Sequence, residues 1–404
     1  MNGDQKWKNV LMLSFSAMFA MSLWFSGSAV VPQLTLEWKL TAAQQSWITN
    51  SVQIGFVIGA ILSALLNLGD RISNRFFFAA SAFGAAIFNG AIAILHPTVN
   101  VALFFRFLTG MMLAGVYPPA MKLIATWCKE DRGRGIGILV GALTLGKSLP
   151  HLLNAVTGES GMPPWTTILL TLSGLSLLAA IFGALFVKAG PYLSQSAPFD
   201  WQFAVRALKH KPTRLANYGY LGHMWELYAM WTWVPILLIA SFQASGKSAQ
   251  EARFAGFAAI AAGTAGCILA GILADRIGRT KVANMSLAIS GSCCLLAGFL
   301  FQRPLLLTVL CVVWGFAVVA DSAQFSAAVS ELTDSRYVGT ALTVQTALGF
   351  FLTLISIALI PLLVASLGWN RVFWILAAGP VFGIINMLRL RRMPEANQMA
   401  SGNR

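Results

Sequence analysis

Long stretches without a charged residue dominate this 404-residue chain and constrain its fold more than any other feature. About 20 consecutive apolar residues cross a bilayer as an α-helix, because a helix satisfies its own backbone hydrogen bonds in hydrocarbon. Only 10% of the residues are charged and 57% are hydrophobic, whereas soluble domains carry about 25% charged residues. The sequence therefore predicts an all-α membrane protein. The uncharged stretches are Val10–Leu36, Leu40–Gly69, Phe76–Leu95, Ser160–Val187, Phe254–Ala274, Val282–Gln302 and Tyr337–Asn370.

With shorter apolar stretches included, twelve transmembrane helices are predicted, beginning near residues 10, 44, 75, 101, 134, 165, 214, 253, 281, 304, 337 and 370. The ten-residue alternating pattern of a transmembrane β-barrel is missing. A long connection between helices 6 and 7 contains a basic amphipathic segment, Phe199–Lys211, which fits a helix at the membrane surface or an irregular linker. We expect two pseudo-symmetric six-helix bundles, residues 1–188 and 214–404, joined by a cytoplasmic linker, residues 189–213.

The distribution of the basic residues that give the net charge of +14 indicates how the chain is oriented in the membrane. If the N terminus is cytoplasmic, most of the 28 lysines and arginines fall on the cytoplasmic side, which is the positive-inside bias of membrane proteins. The basic balance therefore does not indicate nucleic-acid binding. We expect a multi-pass protein of the bacterial inner membrane with both termini in the cytoplasm. The basic residues expected outside are Lys39, Lys247, Arg253, Arg303 and Arg371.

An Asp-Arg pair occurs twice at the end of a long apolar stretch, as Asp70-Arg71 and as Asp275-Arg276. The two copies are 205 residues apart (275 − 70), about half the chain length. The second copy lies in the fuller motif Gly271–Arg279. A motif repeated at this spacing predicts two homologous halves, an organisation found in transporters that rock one half against the other.

These motifs and the twelve helices resemble the major facilitator superfamily over essentially the whole chain. The loop after helix 8 matches the superfamily signature Gly-x-x-x-Asp-Arg-x-Gly-Arg, whereas the loop after helix 2 has Leu66 and Ser73 in place of its glycines. Helix 4 has the expected Arg-x-x-x-Gly, but helix 5 lacks the Gly-Pro-x-x-Gly-Gly element of the antiporter branch. The resemblance implies that helices 1, 4, 7 and 10 line a central cavity and that the Asp-Arg loops close its cytoplasmic side. The gating residues would be Asp70, Arg71, Arg75, Gly271, Asp275, Arg276, Gly278 and Arg279.

Charged residues inside predicted helices need a reason, because each costs at least about 2.5–3.5 kcal/mol at the membrane centre. Arg106 lies in helix 4, and Lys147 and His151 lie one turn apart in helix 5. We expect these three to form a basic substrate pocket. Arg106 could instead clamp backbone carbonyls, and Lys147 could be a hydrated charge without a specific role.

Two carboxylates lie in the helices of the second half, Glu226 in helix 7 and Asp321 in helix 10. They could carry protons during transport, or they could only neutralise the basic residues of the first half. His223 shares a helix face with Glu226, and Gln324 shares one with Asp321. An aromatic side chain of helix 1 or helix 7 could stack on an organic substrate. The predicted substrate-binding residues are Trp24, Arg106, Tyr117, Lys147, His151, His223 and Gln324.

Basic groups beside titratable carboxylates favour a transporter that moves a small organic or inorganic anion together with protons by alternating access. A proton-driven exporter of an organic compound and a non-transporting membrane sensor are the alternatives. The segment Gly141–Ser148 matches the P-loop pattern, but a P-loop needs an α/β domain, so we do not expect nucleotide hydrolysis. We expect no enzymatic activity, cofactor, metal site or nucleic-acid partner, and a monomer is expected to suffice.

Overall fold

The computed structural model describes residues 3–128, 132–156, 163–192, 199–334 and 337–403. Twelve helices in these ranges are long and apolar enough to cross a membrane, as the sequence predicts. The largest difference from the predicted starts is at the first helix, which begins at Gln5 rather than near residue 10. The spans are α1 (Gln5–Trp38), α2 (Ala42–Leu65), α3 (Asn74–Leu95), α4 (Val99–Trp127), α5 (Arg134–Val156), α6 (Trp165–Leu185), α7 (Lys211–Ala244), α8 (Ala249–Ile277), α9 (Arg279–Leu300), α10 (Pro304–Leu332), α11 (Val338–Leu367) and α12 (Val372–Arg391).

Three of the spans are interrupted near their middle. In α1 the helix stops at Met21 and resumes at Ser26. In α4 it stops at Leu113 and resumes at Tyr117, just before Pro118, whose ring and missing N–H disfavour a continuous helix. In α10 the interruption is the single residue Asp321. Interrupted helices expose backbone groups that need partners inside a membrane, so such breaks are found where protein or a cavity supplies them.

The internal repeat is visible in the bounds of α4 and α10. Val99 and Pro304, where the two spans begin, are 205 residues apart (304 − 99), and so are their last residues, Trp127 and Leu332 (332 − 127). This is the offset of the two Asp-Arg pairs. The duplicated architecture that the motifs predict is therefore present in the helices themselves.

Equivalent glycines bring these two spans against their neighbours. A Cβ on Gly110 of α4 would lie 2.1 Å from the carbonyl oxygen of Val52, and a Cβ on Gly315 of α10 would lie 1.6 Å from that of Ala259. Both distances are far below van der Waals contact, so only glycine allows α4 to approach α2, and α10 to approach α8, this closely. Small residues at helix contacts are typical of membrane proteins.

The N-terminal half, α1–α6, meets the C-terminal half, α7–α12, along two helix pairs. The helix α5 packs along α8, and α2 packs along α11. Three hydrogen bonds across these pairs lie towards the side opposite the termini. Asn50 Nδ2 donates to the Leu354 carbonyl at 3.3 Å, Gln250 Nε2 to the Ala155 carbonyl at 3.2 Å, and Arg253 Nη1 to the Asn154 carbonyl at 3.3 Å.

Three further helical segments of the described chain lie on the side of the termini, the first being the single turn Leu68–Arg71 after α2. The linker forms a short helix, Trp201–Lys209, whose Ala204 and Ala207 are buried while Trp201 is 62% exposed. A 3₁₀ segment, Pro394–Gly402, follows α12 and packs on α10 and α8.

Candidate functional site

A cavity of about 50 Å³, which we call the chamber, lies where the three interrupted spans meet. Discontinuous helices form the substrate sites of many secondary transporters, because their free backbone groups are available at mid-membrane depth. All four helices that the resemblance implied, α1, α4, α7 and α10, contribute to its wall, together with α2, α5 and α11. The lining residues are Met21, Trp24, Phe56, Tyr117, Val140, Leu143, Thr144, Lys147, Tyr220, Met224, Leu227, Tyr228, Trp231, Val319, Ser322 and Phe350.

The charged group of the chamber wall is Lys147, which is 8% exposed. Its Nζ donates a hydrogen bond of 2.8 Å to the hydroxyl of Tyr228 on α7. The same nitrogen lies 4.9 Å from the ring centroid of Trp24, 5.0 Å from that of Tyr228 and 4.9 Å from that of Trp231. These distances are within the range of cation–π attraction, which stabilises a desolvated ammonium. We call Trp24, Tyr228 and Trp231 the aromatic cage.

Two donors of the cage lack an acceptor in the described part of the chain. The indole Nε1 atoms of Trp24 and Trp231 are buried and have no hydrogen-bonding partner there. Buried polar groups are normally paired, so an unpaired donor beside a cavity calls for an explanation. An ammonium has three N–H donors, of which Lys147 uses one on Tyr228. The chamber therefore combines one cation, spare donors and aromatic faces, a composition suited to an anionic aromatic group.

Arg106 is adjacent to the cage but is engaged with the backbone. Its guanidinium is 1% exposed and donates to the carbonyls of Leu23 (3.0 Å) and Trp24 (2.6 Å), which lie in the break of α1. It also donates to Ser26 Oγ at 2.8 Å and to Asn89 Oδ1 at 3.1 Å. This geometry is that of the clamp alternative, since Arg106 donates to the Trp24 carbonyl in the break and adds a donor to the Leu23 carbonyl, which also accepts from Ser26 Oγ.

Glu226 lies inside the C-terminal half rather than on the chamber wall. Its Oε1 accepts hydrogen bonds from Trp314 Nε1 at 2.5 Å and from Cys294 Sγ at 3.2 Å, and its Oε2 accepts one from Ser290 Oγ at 2.9 Å. The carboxyl group is fully buried. These donors join α7, α9 and α10, so Glu226 is a polar junction between three helices.

Asp321 and His223 form a buried pair at the break of α10. His223 Nδ1 lies 2.8 Å from Asp321 Oδ1, and each side chain is 1% exposed. The neighbouring residue Ser322 lines the chamber, as does Tyr220, whose ring centroid is 6.0 Å from that of His223. The pair therefore lies directly behind the chamber wall. It differs from the neutralisation alternative, because the side chain paired with Asp321 is His223 rather than Lys147 or Arg106 of the N-terminal half.

Gln324 and the signature loop belong to a cluster on the side of the termini. Arg279 donates to both carboxylate oxygens of Glu331, at 2.7 and 2.8 Å, and to Gln324 Oε1 at 3.1 Å. The Ala400 N–H of the 3₁₀ tail donates to Glu331 at 3.2 Å. Asp275 lies 3.7 Å from Arg279. The sequence pattern placed Gln324 with the substrate residues, whereas the structure places its amide oxygen on the signature arginine.

The two copies of the signature differ in backbone geometry, which explains their different residues. Gly278 has φ = 101°, a conformation that favours glycine. Ser73, at the equivalent position 205 residues earlier (278 − 73), has φ = −53° and needs no glycine. On the N-terminal side, Lys122 Nζ donates to the Gly69 carbonyl at 3.2 Å, and the Arg75 guanidinium lies over the Phe76 ring. The side chain of Asp70 lies outside the described residues, while Arg71 and Arg276 are exposed and Gly271 is buried.

The P-loop match is excluded as a nucleotide site by its conformation. Gly141–Ser148 lies within a continuous α-helix, Arg132–Val156. A P-loop is a loop between a strand and a helix whose backbone N–H groups surround phosphates, and in a helix those groups bond to carbonyls. The sequence argument against nucleotide hydrolysis is supported on this independent ground.

The sequence analysis allowed for a stacking aromatic residue on α7 but did not include Tyr228 or Trp231 among the predicted substrate residues, because it favoured another face of that helix. His223 and Glu226 lie on that other face, and both are packed within the C-terminal half. A usable signal was present, since Tyr220, Met224, Tyr228 and Trp231 follow each other at helical spacing. Of the predicted substrate residues, Trp24, Tyr117 and Lys147 line the chamber. His151 lines a separate, smaller cavity one turn further along α5.

Two curated relatives with assigned substrates are similar to parts of this chain. A niacin transporter, NiaP, of Acinetobacter baylyi is 31% identical over 132 residues, which cover 30% of this chain and only 29% of that protein. The 4-hydroxybenzoate transporter PcaK of Pseudomonas aeruginosa is 23% identical over 377 residues, covering 84% of this chain and 82% of that one. Among solved structures, the proton:xylose symporter XylE matches with a TM-score of 0.71 at 16% identity, covering 96% of both chains, which shows the shared fold.

The family itself is decided by a match along nearly the whole sequence. The model of the Major Facilitator Superfamily matches residues 12–265 and 219–403. With the twelve spans, the duplicated α4 and α10 and the signature loop, this match makes the chain a multi-pass membrane protein of that family. The chain belongs to the Major Facilitator Superfamily.

Proposed function

We propose that this chain is a secondary transporter that moves a small aromatic carboxylate across the bacterial inner membrane by alternating access, together with protons. The observation that carries the proposal is the chamber: Lys147 presents its ammonium among three aromatic rings, and Trp24 and Trp231 have indole N–H groups without acceptors in the described residues. A carboxylate would bind the ammonium and an indole N–H, because charge-assisted hydrogen bonds are strong in a desolvated site. The attached ring would stack on the cage.

The relatives agree with this chemistry. Niacin and 4-hydroxybenzoate, the substrates in the names of the two similar transporters, each consist of an aromatic ring bearing a carboxyl group. Family membership and these transporter names make the chain a non-enzyme, as the sequence predicted.

The size of the chamber supports alternating access. At about 50 Å³ it is far smaller than a ligand pocket, which is typically about 300–1,000 Å³. A substrate would enter only when the two halves separate on one side. The bonds from Asn50 to Leu354 and from Gln250 to Ala155 cross between the halves away from the termini, so they would have to break for access from that side. Because one chain supplies both halves, we propose that a monomer suffices.

For proton coupling, the structure favours Asp321 over Glu226. Asp321 lies at the break of α10 beside the chamber wall and is paired with His223, so its protonation would release that pair where α10 is interrupted. Glu226 is held by three neutral donors deeper in the bundle. Symport follows if protonation of Asp321 and loading of the chamber are both needed before the halves reorient.

The proposal is tested by uptake into proteoliposomes containing purified protein. With the outside acidified, labelled 4-hydroxybenzoate and nicotinate should accumulate, and xylose should not. Extrusion driven by the same gradient would instead identify an exporter. Ligand binding without any flux would identify a sensor.

Lys147→Met in the same assay tests the chamber. Removing the ammonium should raise KM about 10- to 100-fold, since a hydrogen bond to a charged group contributes about 1.5–3 kcal/mol. The matched control is Lys247→Met, which removes an exposed lysine from the loop before α8 and should transport like the parent protein. Equal KM values for the two variants would contradict the assignment of the chamber as the substrate site.

A further inference from the structure

A second, smaller cavity follows the chamber along α5, on the side away from the termini. His151, one helical turn beyond Lys147, contributes to its wall. Ser28 of α1, Thr232 of α7 and Arg253 of α8 lie around the same cavity, with Asn154 of α5. Four residues of helix rise by about 6 Å, so a solute leaving this cavity would next meet Lys147. The two cavities therefore lie one after the other along α5.

Several polar atoms of this second cavity lack partners among the residues that the structure describes. They are His151 Nε2, Asn154 Oδ1 and Arg253 Nε. His151 and Asn154 are 6% and 4% exposed, so solvent does not substitute for the missing partners. Nearly all buried polar side-chain atoms in proteins are paired, and unpaired ones around a cavity point to a ligand or to another conformational state. The guanidinium of Arg253 supplies a positive charge and the His151 ring supplies an N–H group, so the cavity is suited to an anion.

Arg253 also takes part in closing this side of the molecule. Its Nη1 donates to the carbonyl of Asn154 at 3.3 Å, in the last turn of α5. The last carbonyls of a helix have no partner within the helix and carry its partial negative charge, so they attract a guanidinium. Gln250, one turn earlier on α8, makes the parallel bond to Ala155. Arg253 is thus part of the cavity wall and part of the contact between the two halves.

We infer that Arg253 and His151 form an outer subsite for the carboxylate of the substrate, which takes the place of the Asn154 carbonyl on Arg253 when α5 and α8 separate. The inference rests on the proposed function and adds a second binding station to it. In the present closed arrangement the cavity measures about 10 Å³, room for no more than one water molecule, so the subsite forms only on opening. When the carboxylate moves on to Lys147, Arg253 is free to bond Asn154 again and close the outer side.

The test compares the two faces of the transporter. Uptake of 4-hydroxybenzoate is measured in right-side-out and in inside-out membrane vesicles for the parent, Arg253→Gln, Arg253→Lys and Arg303→Gln. The last is the matched control, an exposed arginine of the loop before α10. We expect Arg253→Gln to raise the outer-face KM about tenfold and Arg253→Lys about threefold. The inner-face KM should change less than twofold, and Arg303→Gln should match the parent on both faces.

Each other outcome is decisive. An unchanged outer-face KM in Arg253→Gln overturns the inference while leaving the proposed function intact, and so does an equal rise on both faces, which would show a purely structural role. If Arg253→Gln is absent from the membrane, an outer-face KM for Arg253→Lys equal to that of the parent overturns it. Parent vesicles that carry no substrate in either orientation would instead refute the proposed function.

Discussion

The ionisable residues within the membrane-spanning helices fall into three kinds, according to what each side chain contacts. Lys147 faces a cavity, Arg106 and Glu226 are surrounded by protein partners, and Asp321 is paired with His223 at a helix break. Sequence position alone does not separate these kinds, because all of them are charges in apolar helices. The separation comes from the number of hydrogen-bonding partners that each group finds.

Arg106→Met should affect stability more than substrate affinity. The change removes the donor to the Trp24 carbonyl in the break of α1, whereas the Leu23 carbonyl keeps the hydrogen bond from Ser26 Oγ at 2.9 Å. Each unsatisfied buried carbonyl costs about 1–3 kcal/mol, so the melting temperature of the purified protein in detergent should fall by several degrees. The protein that remains folded should show a KM within about threefold of the parent. A large rise in KM with unchanged melting would return Arg106 to the substrate site, where the sequence analysis placed it.

Asp321→Asn should uncouple substrate movement from the proton gradient. The amide keeps the size of the carboxyl group but cannot bind and release a proton. The contact with His223 therefore no longer changes with protonation at position 321. We expect exchange of labelled for unlabelled substrate to continue while accumulation under a pH gradient is lost. Glu226→Gln, which keeps a partner for Trp314 and Ser290, is the comparison and should retain accumulation. The opposite result would make Glu226 the coupling residue.

At the scale of helices, the sequence determined the number and approximate limits of the spans, because length and hydropathy suffice for both. It did not reveal the breaks in α1 and α10, since nothing in Ser22–Phe25 or around Asp321 forbids a helix. Nor did it identify which face of α7 lines the chamber. Aromatic residues occur all round that helix, so hydrophobic periodicity does not distinguish one face from another. Both features depend on contacts with other helices.

The equivalent glycines of α4 and α10 give a prediction at this scale. Gly110→Ala and Gly315→Ala place a methyl group against the backbone of α2 and of α8, so each should destabilise the protein by about 1–3 kcal/mol through overpacking. Gly174→Ala in α6 is the matched control, because a Cβ there meets nothing within 4 Å and alanine favours a helix. Thermal melting in detergent compares the three. Tolerance of both substitutions at the α2 and α8 contacts would contradict the close packing.

The whole molecule places both termini, the signature loop and the linker helix on one side, which the distribution of lysine and arginine predicts to be the cytoplasmic side. Gln202→Cys in the linker helix and Lys247→Cys in the loop before α8 put a thiol on each exposed side. The five natural cysteines are buried. An impermeant maleimide should label Lys247→Cys in intact cells and Gln202→Cys only after permeabilisation. Labelling in the reverse order would invert the topology and move the inferred outer subsite to the inner face.

Arg106 bonds only uncharged acceptors in the described chain, and this has a consequence for selectivity. These acceptors fix the position of the guanidinium but do not neutralise its positive charge. In a medium of low dielectric constant, the electrostatic potential of that charge extends over several ångströms. Any solute entering the chamber would experience that potential before touching a side chain. Ring compounds bearing an amine should therefore be excluded even when they match the shape of a transported acid.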